Sequence, residues 1–586
     1  MTAPWEYRDP LEAKLTAEVS APTLMEHVRT IGAWERESGS AGEAQAFDYI
    51  ERSLKSYGLE VERRQIEAYI SLPLEGRVRL DDGTIIEGLT HSFSPSVDGL
   101  QAEVVDVGDG TPAELARAAG KIALVRGLAT PGKAWAAQQA GTLAQIFVAL
   151  DHLHNMIVTT IWGAPTPETA WRIPATPCLS VLGADGERLR ERLTRGPLRV
   201  TLTTRVRTGW TPIPHLVGAL AGRGEDRFVL FSGHVDAWHH GAMDNGAANA
   251  TMLEIARLLA TRRDALARGI RFAFWSGHSH GRYAGSAWYA DHAWRELHAR
   301  CVLHLNVDST GARGATDYSV LHATEDAQSL AEAAVADVTG QRGRARRFSR
   351  AGDQSFWGAG VPSAFMSLSG LPKQDTELSR AMERLVGSAG FPWWWHTKDD
   401  TVDKIDADVL ALDTKVYLAT ALRWLNAPVL PARSPPCGAQ RADRARGAPG
   451  GGGRAVRSDA GPRHGAGAGR AARARRGRAR PGRAGAGRGR QPRIAAPVTH
   501  PGAADLHERR PLRPRPRTAP RTAGRSAAGA GAGHARSRRR RLQVRAGCAR
   551  PRVQSRRARA GLGLVRHRRS ARRQEITSCV RFPPGC

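Results

Sequence analysis

Cysteine is scarce in this 586-residue chain: six in all, with only Cys178 and Cys301 before residue 432. Neither has a second cysteine at a metal-ligand spacing, so a disulfide framework and a thiolate metal site are unsupported, and both read as buried free thiols. No stretch approaches the ~18 consecutive apolar residues of a membrane-spanning helix. The opening MTAPWEYRDPLEAKLTAEVS lacks a basic segment followed by an apolar run, so no secretory signal is read and a soluble cytoplasmic protein is expected. Lysine is missing from Arg433 onward, where 41 arginines stand against 5 acidic residues. The formal charge of +30 and the pI near 11.1 therefore belong to the tail, because the preceding part holds 45 basic and 51 acidic residues, a net charge of −6. A nucleic-acid or membrane-surface partner, which such a pI suggests, is thereby removed as an explanation of the folded part.

Residues 432–586 are Arg, Ala, Gly and Pro with no period of 2 or 3.6, and such a segment cannot bury a core. It reads as a disordered tail or as a shifted frame of a GC-rich gene. The abrupt switch after a well-formed helix and the loss of lysine favour the second. A nucleic acid is a partner only if the tail is genuine, in which case its affinity falls steeply with salt.

What remains is ample for a large core. In EAQAFDYIERSLKSYG (43–58), Phe47, Ile50, Leu54 and Tyr57 share one helical face, and Gly58 is a stop signal. A strand is expected over 61–70. From 71 to 206 short strands alternate with Gly, Pro and Asp turns, as in GRVRLDDGTIIEGL, AEVVDVGDG and GKIALVRG. From 207 the strand–helix alternation resumes. RFVLFSGHVD, GIRFAFWSG, CVLHLNVDST and VPSAFMSL read as buried strands, ANATMLEIARLLA as a helix, and ADVLALDTKVYLATALRWL as a closing helix. Near-continuous apolar strands separated by helices predict an α/β fold whose mostly parallel sheet is covered on both faces.

Ligands of such sheets bind beyond the carboxyl ends of the strands. Four groups of metal-ligand type fall there: His234 with Asp236 in GHVD, Asp244 in MDNG, Asp308 ending LHLNVD, and His396 after the tryptophan run. Imidazole nitrogen and carboxylate oxygen are the donors of catalytic zinc sites, and a carboxylate between two ions bridges them at ~3.5–4 Å in two-metal hydrolases.

The order His-x-Asp, Asp-Asn-Gly, a strand ending in Trp before Gly-x-x-Gly-Ser, Asn-x-Asp, and His-Thr-x-x-Asp-Thr-x-Asp-Lys-Ile resembles the co-catalytic zinc aminopeptidase and glutamate-carboxypeptidase family. The resemblance covers about 20–70 and 207–427. It implies a discontinuous zinc-peptidase domain (1–70 and 207–431) that hydrolyses a peptide or small amide, with one or two zinc ions as cofactor. The pattern of 71–206 is similar to the protease-associated domain, a β-rich insert common in this class; some other small α/β insert is the alternative. Related larger peptidases place a helical dimerisation domain where the Arg-rich tail stands, so a homodimer is among the implied assemblies. Carried over position by position, His234 and Asp308 hold one zinc, Asp244 bridges, His396 holds the other, and Asp236 orients His234.

The chain departs from the family where two adjacent glutamates are expected. In Trp275-Ser276-Gly277-His278-Ser279-His280-Gly281 the general base falls on His278 and a ligand of the His396 metal on Ser279. Histidine is a competent base near neutral pH. Serine is a poor zinc ligand, so His278 or His280 must replace it or that half is weak. Other readings compete. The same segment matches the G-x-S-x-G elbow of serine hydrolases with Ser279 as nucleophile, and a catalytically inactive peptidase-fold binding protein accounts for the lost glutamates. Asp353 either shapes the pocket or sits in a turn. Trp393 to Trp395 wall the pocket or pack beneath the loop, and His239 and His240 read as structural.

Overall fold

The computed structural model describes residues 7–431 except 350, 377, 378, 381, 382 and 384–389. The expected tail of 432–586 lies outside these residues. The strands are β1 (Glu60–Arg79), β2 (Ile85–Thr90), β3 (Val97–Asp106), β4 (Ile122–Arg126), β5 (Ala144–Val148), β6 (Cys178–Val181), β7 (Arg199–Leu220), β8 (Phe228–His234), β9 (Gly269–Trp275), β10 (Cys301–Asn306), β11 (Val320–His322), β12 (Arg344–Arg346) and β13 (Ser363–Ala364). The helices are α1 (Glu12–Ala17), α2 (Ala21–Ile31), α3 (Ala41–Ser56), α4 (Pro112–Leu115), α5 (Pro131–Gln139), α6 (Gly183–Thr194), α7 (Ala248–Ala260), α8 (Ala284–His292), α9 (Trp294–Arg300), α10 (Glu325–Thr339) and α11 (Ala407–Asn426).

The parallel heart of the sheet is β9-β8-β10-β13. Its strands are apolar throughout because both faces are covered. Val229, Phe231, Ile270, Phe272 and Phe274 point towards α3, α7, α10 and α11. Phe228, Leu230, Ala273 and Trp275 point the other way, into Tyr289 and Ala290 of α8 and Leu297 of α9. One alternation of side chains thus fills two layers, as the sequence pattern predicts.

The edge is where the fold departs from the mostly parallel expectation. β1 runs on past residue 70 to Arg79, antiparallel to β7 from Glu60↔Ala219 to Arg79↔Thr201, with a register irregularity between Pro73 and Glu75. Proline has no N–H to give a ladder, so a bulge at Pro73 is where such a strand yields. The outer halves of this ribbon pass into the region expected as an insert. There the pairings β7–β1–β2–β6–β5–β4–β3–β7 return to their starting strand. Val78, Ile86, Ala102, Val104, Ile122, Leu124, Ile146, Leu179, Val200 and Leu202 make a separate core within this ring. Closure leaves few unpaired strand edges in a β-rich unit.

α11 closes the structure and carries a buried carboxyl. Asp413 accepts hydrogen bonds from Tyr318 Oη (2.9 Å), Ser369 Oγ (2.7 Å) and the Gly311 amide (2.9 Å). Burial nevertheless pushes its pKa up to about 6. The folded state therefore holds this proton at pH values where the unfolded chain has released it. Its contribution is complete below ~pH 4 and is lost as pH rises through about 6, up to about 3 kcal/mol in all. Denaturant unfolding of Asp413→Asn against the parent, at pH 4 to 7, is expected to show this slope in the parent and not in the variant.

Candidate metal centre

β8 ends on His234, β10 leads to Asp308, and the loop before α7 carries Asp244. His234 and Asp244 are buried. His234 Nδ1 lies 2.8 Å from the Asp236 main-chain carbonyl, an acceptor only, so Nδ1 carries the hydrogen and Nε2 presents its lone pair. That Nε2 is 3.2 Å from Asp244 Oδ1 and 3.6 Å from Asp308 Oδ2. On the other side, Asp244 Oδ2 is 3.2 Å from His396 Nε2. His396 Nδ1 donates to the Asn155 carbonyl (2.7 Å). Asp244 thus stands between two imidazoles, one on each oxygen. Burial by itself would raise its pKa, but His234 and His396 hold it well below the ordinary carboxylate range.

Asp236 does not orient His234 through its carboxylate, which is 3.7 Å from Nδ1; its main-chain carbonyl does so. The carboxylate instead gathers the loop after β9, accepting from Ser38 Oγ (2.6 Å), the Ser279 amide (2.8 Å) and the His278 amide (3.2 Å). Gly277, at φ +73°, begins that loop; a Cβ there would meet Ala284 Cβ and Ile213 Cδ1 at 2.9 Å. The turn lays the His278 ring on that of His234, with centroids 3.7 Å apart and planes 11° apart. His278 Nδ1 is 2.8 Å from Asp353 Oδ2. Among the described residues, His234, His278 and Asp308 form the group of three whose ligand atoms are mutually within 4.8 Å. His280, two residues on, faces away: its Nδ1 is 3.0 Å from Ser38 Oγ and its ring lies 4.2 Å from that of Trp238. Among the described residues, no histidine is hydrogen-bonded to the Ser279 hydroxyl.

Three further groups pin the loops. Arg36 is wholly buried and donates to the carbonyls of Ile31, Trp34, Val235, His240 and Gly241. Burial pushes its pKa down to about 10. Asp400 accepts the Met243 and Asp244 amides (2.9 and 3.0 Å), and burial pushes its pKa up to about 7. Asn155, from the expected insert, holds His396 by accepting its Nδ1–H and by donating its own amide N–H to the His396 carbonyl. Asp353 lies 75 residues from His278 and Asn155 lies 241 from His396, so sequence spacing gave no signal for either pairing. Asp400 is the aspartate of the His-Thr-x-x-Asp pattern, and nothing in that pattern announces that it holds the Asp244 amide.

His239 faces the Asn155 amide and His240 the Gly32 carbonyl, both as packing residues. Trp394 and Trp395 are buried, and Trp395 stacks on His396 at 3.5 Å. A cavity of about 1060 Å³ opens on the centre, lined by Asp244, His278, Ser279, Asp308 and His396 together with Trp135, Trp162 and Arg172 of the expected insert.

Residues 215–421 match the profile of peptidase family M28. Over this stretch the chain is similar to that family. A probable glutamate carboxypeptidase of Zea mays is 32% identical over 117 residues, 19% of this chain and 16% of that protein. A probable lipoprotein aminopeptidase of Mycobacterium tuberculosis is 25% identical over 407 residues, 64% of this chain and 78% of that protein. The chain thus spans about a sixth of the length of the first of these relatives. Among solved structures, an aminopeptidase from Aneurinibacillus sp. strain AM-1 shares the fold, with a TM-score of 0.55 at 21% identity over 72% of this chain and 98% of that one. The matched stretch contains all of His234, Asp236, Asp244, His278, Asp308 and His396.

Arg36 meets five carbonyls that no neighbouring donor can take over. Arg36→Met, which keeps much of the volume, is expected to lower stability by about 3 kcal/mol or more, read from denaturant midpoints.

Proposed function

We propose that this chain is a zinc-dependent exopeptidase-type hydrolase acting on a peptide or a related small amide. The observation that carries the proposal is the Asp244 carboxylate with an imidazole Nε2 at 3.2 Å from each of its oxygens. The donor types, imidazole nitrogen and carboxylate oxygen, are those zinc takes. His234 Nε2 is a buried nitrogen without a hydrogen-bond partner, and its separations from two carboxylate oxygens, 3.2 and 3.6 Å, approach the ~3.3–3.6 Å edges of a tetrahedron with ligands ~2.0–2.2 Å from its centre. His234, Asp308 and Asp244 would hold the ion, with Asp244 also facing His396. Bound there, zinc supplies Lewis-acid polarisation of a carbonyl and acidifies water.

The protein's own groups supply the proton chemistry. Asp353 is held below the ordinary carboxylate range: burial opposes its charge, but His278 outweighs burial. An ionised Asp353 can only accept, so His278 Nδ1 donates to it and Nε2 is the basic nitrogen. Nε2 takes a proton from the attacking water and returns it to the departing amine, the work of the first glutamate in the implied family pattern. Ser286 Oγ donates to the other Asp353 oxygen (2.7 Å) and fixes the pair. We read the ring of pairings within 71–206 as the protease-associated insert, with its Trp135 and Trp162 walling the substrate cavity. Among the described residues, the serine-hydrolase alternative finds no histidine on Ser279.

Two outcomes are expected. Chelation abolishes hydrolysis in a screen of amino- and carboxy-terminal peptide substrates, and zinc restores it. Chelator-insensitive turnover with fluorophosphonate labelling of Ser279 would instead establish the serine mechanism. His278→Gln is expected to lower kcat by about 10²–10⁴-fold with zinc still bound, and Asp353→Asn to lower it as well, checked by steady-state kinetics alongside metal analysis.

A further inference from the structure

The two sides of Asp244 are not equivalent, and donor arithmetic separates them. Both imidazoles are committed at Nδ1 to main-chain carbonyls, His234 to Asp236 and His396 to Asn155. Each therefore turns Nε2 towards negative oxygen. At His396 that oxygen is Asp244 Oδ2 alone, 3.2 Å away, so a single carboxylate oxygen faces that nitrogen. At His234 two carboxylates converge on one nitrogen, Asp244 Oδ1 and Asp308 Oδ2. One nitrogen and two carboxylate oxygens facing one another are the donors an ion with several coordination positions takes.

Neither neighbouring histidine completes the His396 side. His278 stacks on His234 and is tied through Nδ1 to Asp353. His280 is turned into Ser38 and Trp238. Ser279, which reaches the same cavity, offers only a hydroxyl, and its amide is fixed on Asp236.

We infer that the centre binds one zinc ion tightly, at His234, Asp244 and Asp308, and that His396 is not a tight metal site because Ser279 stands where a carboxylate ligand is needed. His396 instead sets its Nε2 against Asp244 Oδ2 at 3.2 Å and is a positioning residue for that carboxylate. This rests on the zinc reading above, and the test separates the two.

The full chain, stripped of metal and dialysed, is titrated with Zn²⁺ against a chromophoric competitor, with total zinc checked by mass spectrometry. One tight equivalent per chain is expected. It should be lost in His234→Ala and in Asp308→Ala, and kept, with at most about a tenfold fall in affinity, in His396→Ala. Ser279→Glu is expected to raise the tight stoichiometry to two, with thermal unfolding used to confirm that the variant is folded. Two tight equivalents in the parent would overturn the inference while leaving the zinc hydrolase intact. So would equal loss of the first equivalent in His396→Ala and His234→Ala. A folded Ser279→Glu that stays at one equivalent overturns the role given to Ser279. No tight equivalent in the folded parent would overturn the zinc reading itself.

Discussion

The centre depends on burying one carboxylate, Asp244, between two imidazoles. An ionised carboxylate inside a protein is costly unless every lone pair is met. Much of the surrounding structure supplies that compensation. Asp400 receives the Asp244 and Met243 amides, and Arg36 ties down the segment from Val235 to Gly241. Charge is also kept apart by protonation. Glu43, buried close to Asp236, is pushed well above the ordinary range by burial and by the Asp236 charge, while the histidines around Asp236 hold that carboxyl low. Burial and the neighbouring charge thus bias these two carboxyls in opposite directions.

Position, more than identity, decides what each histidine does. His278 and His280 are two residues apart in a short loop, yet one stacks on His234 and the other packs on Trp238. The Asp236 carboxylate makes this separation by accepting the amides of residues 278 and 279 and the hydroxyl of Ser38, which also meets His280. A carboxylate expected to serve one imidazole instead shapes the loop that carries another.

The parts legible in sequence were those whose environment repeats locally. The helix of 248–260 and the apolar strands β8, β9 and β10 declared themselves by period and by burial on both faces, and the ligand candidates could be placed because they follow strand ends. The β1–β7 ribbon was read short, since Pro73, Gly209, Pro212 and Pro214 interrupt any alternation, and its pairing joins residues up to 159 apart. The Asp353–His278 and Asn155–His396 pairs were illegible for the same reason. Hydrogen bonds between distant segments leave no periodic trace, and an aspartate or asparagine in a loop looks alike whether it holds a histidine or a turn.

The Asn155 clamp adds a polar joint to two parts that already share a buried apolar core, in which Phe147 and Met156 pack with Met243 and Leu410. Its carbonyl and amide both engage His396, so the β-rich ring and the peptidase-like sheet share a hydrogen-bonded joint at the centre itself. By linkage, whatever steadies His396 also steadies the seating of the ring, and whatever displaces the ring is felt at Asp244. A molecule lodged in the cavity meets His396 on one side and Trp135 and Trp162 of the β-rich region on the other, so it bridges both parts.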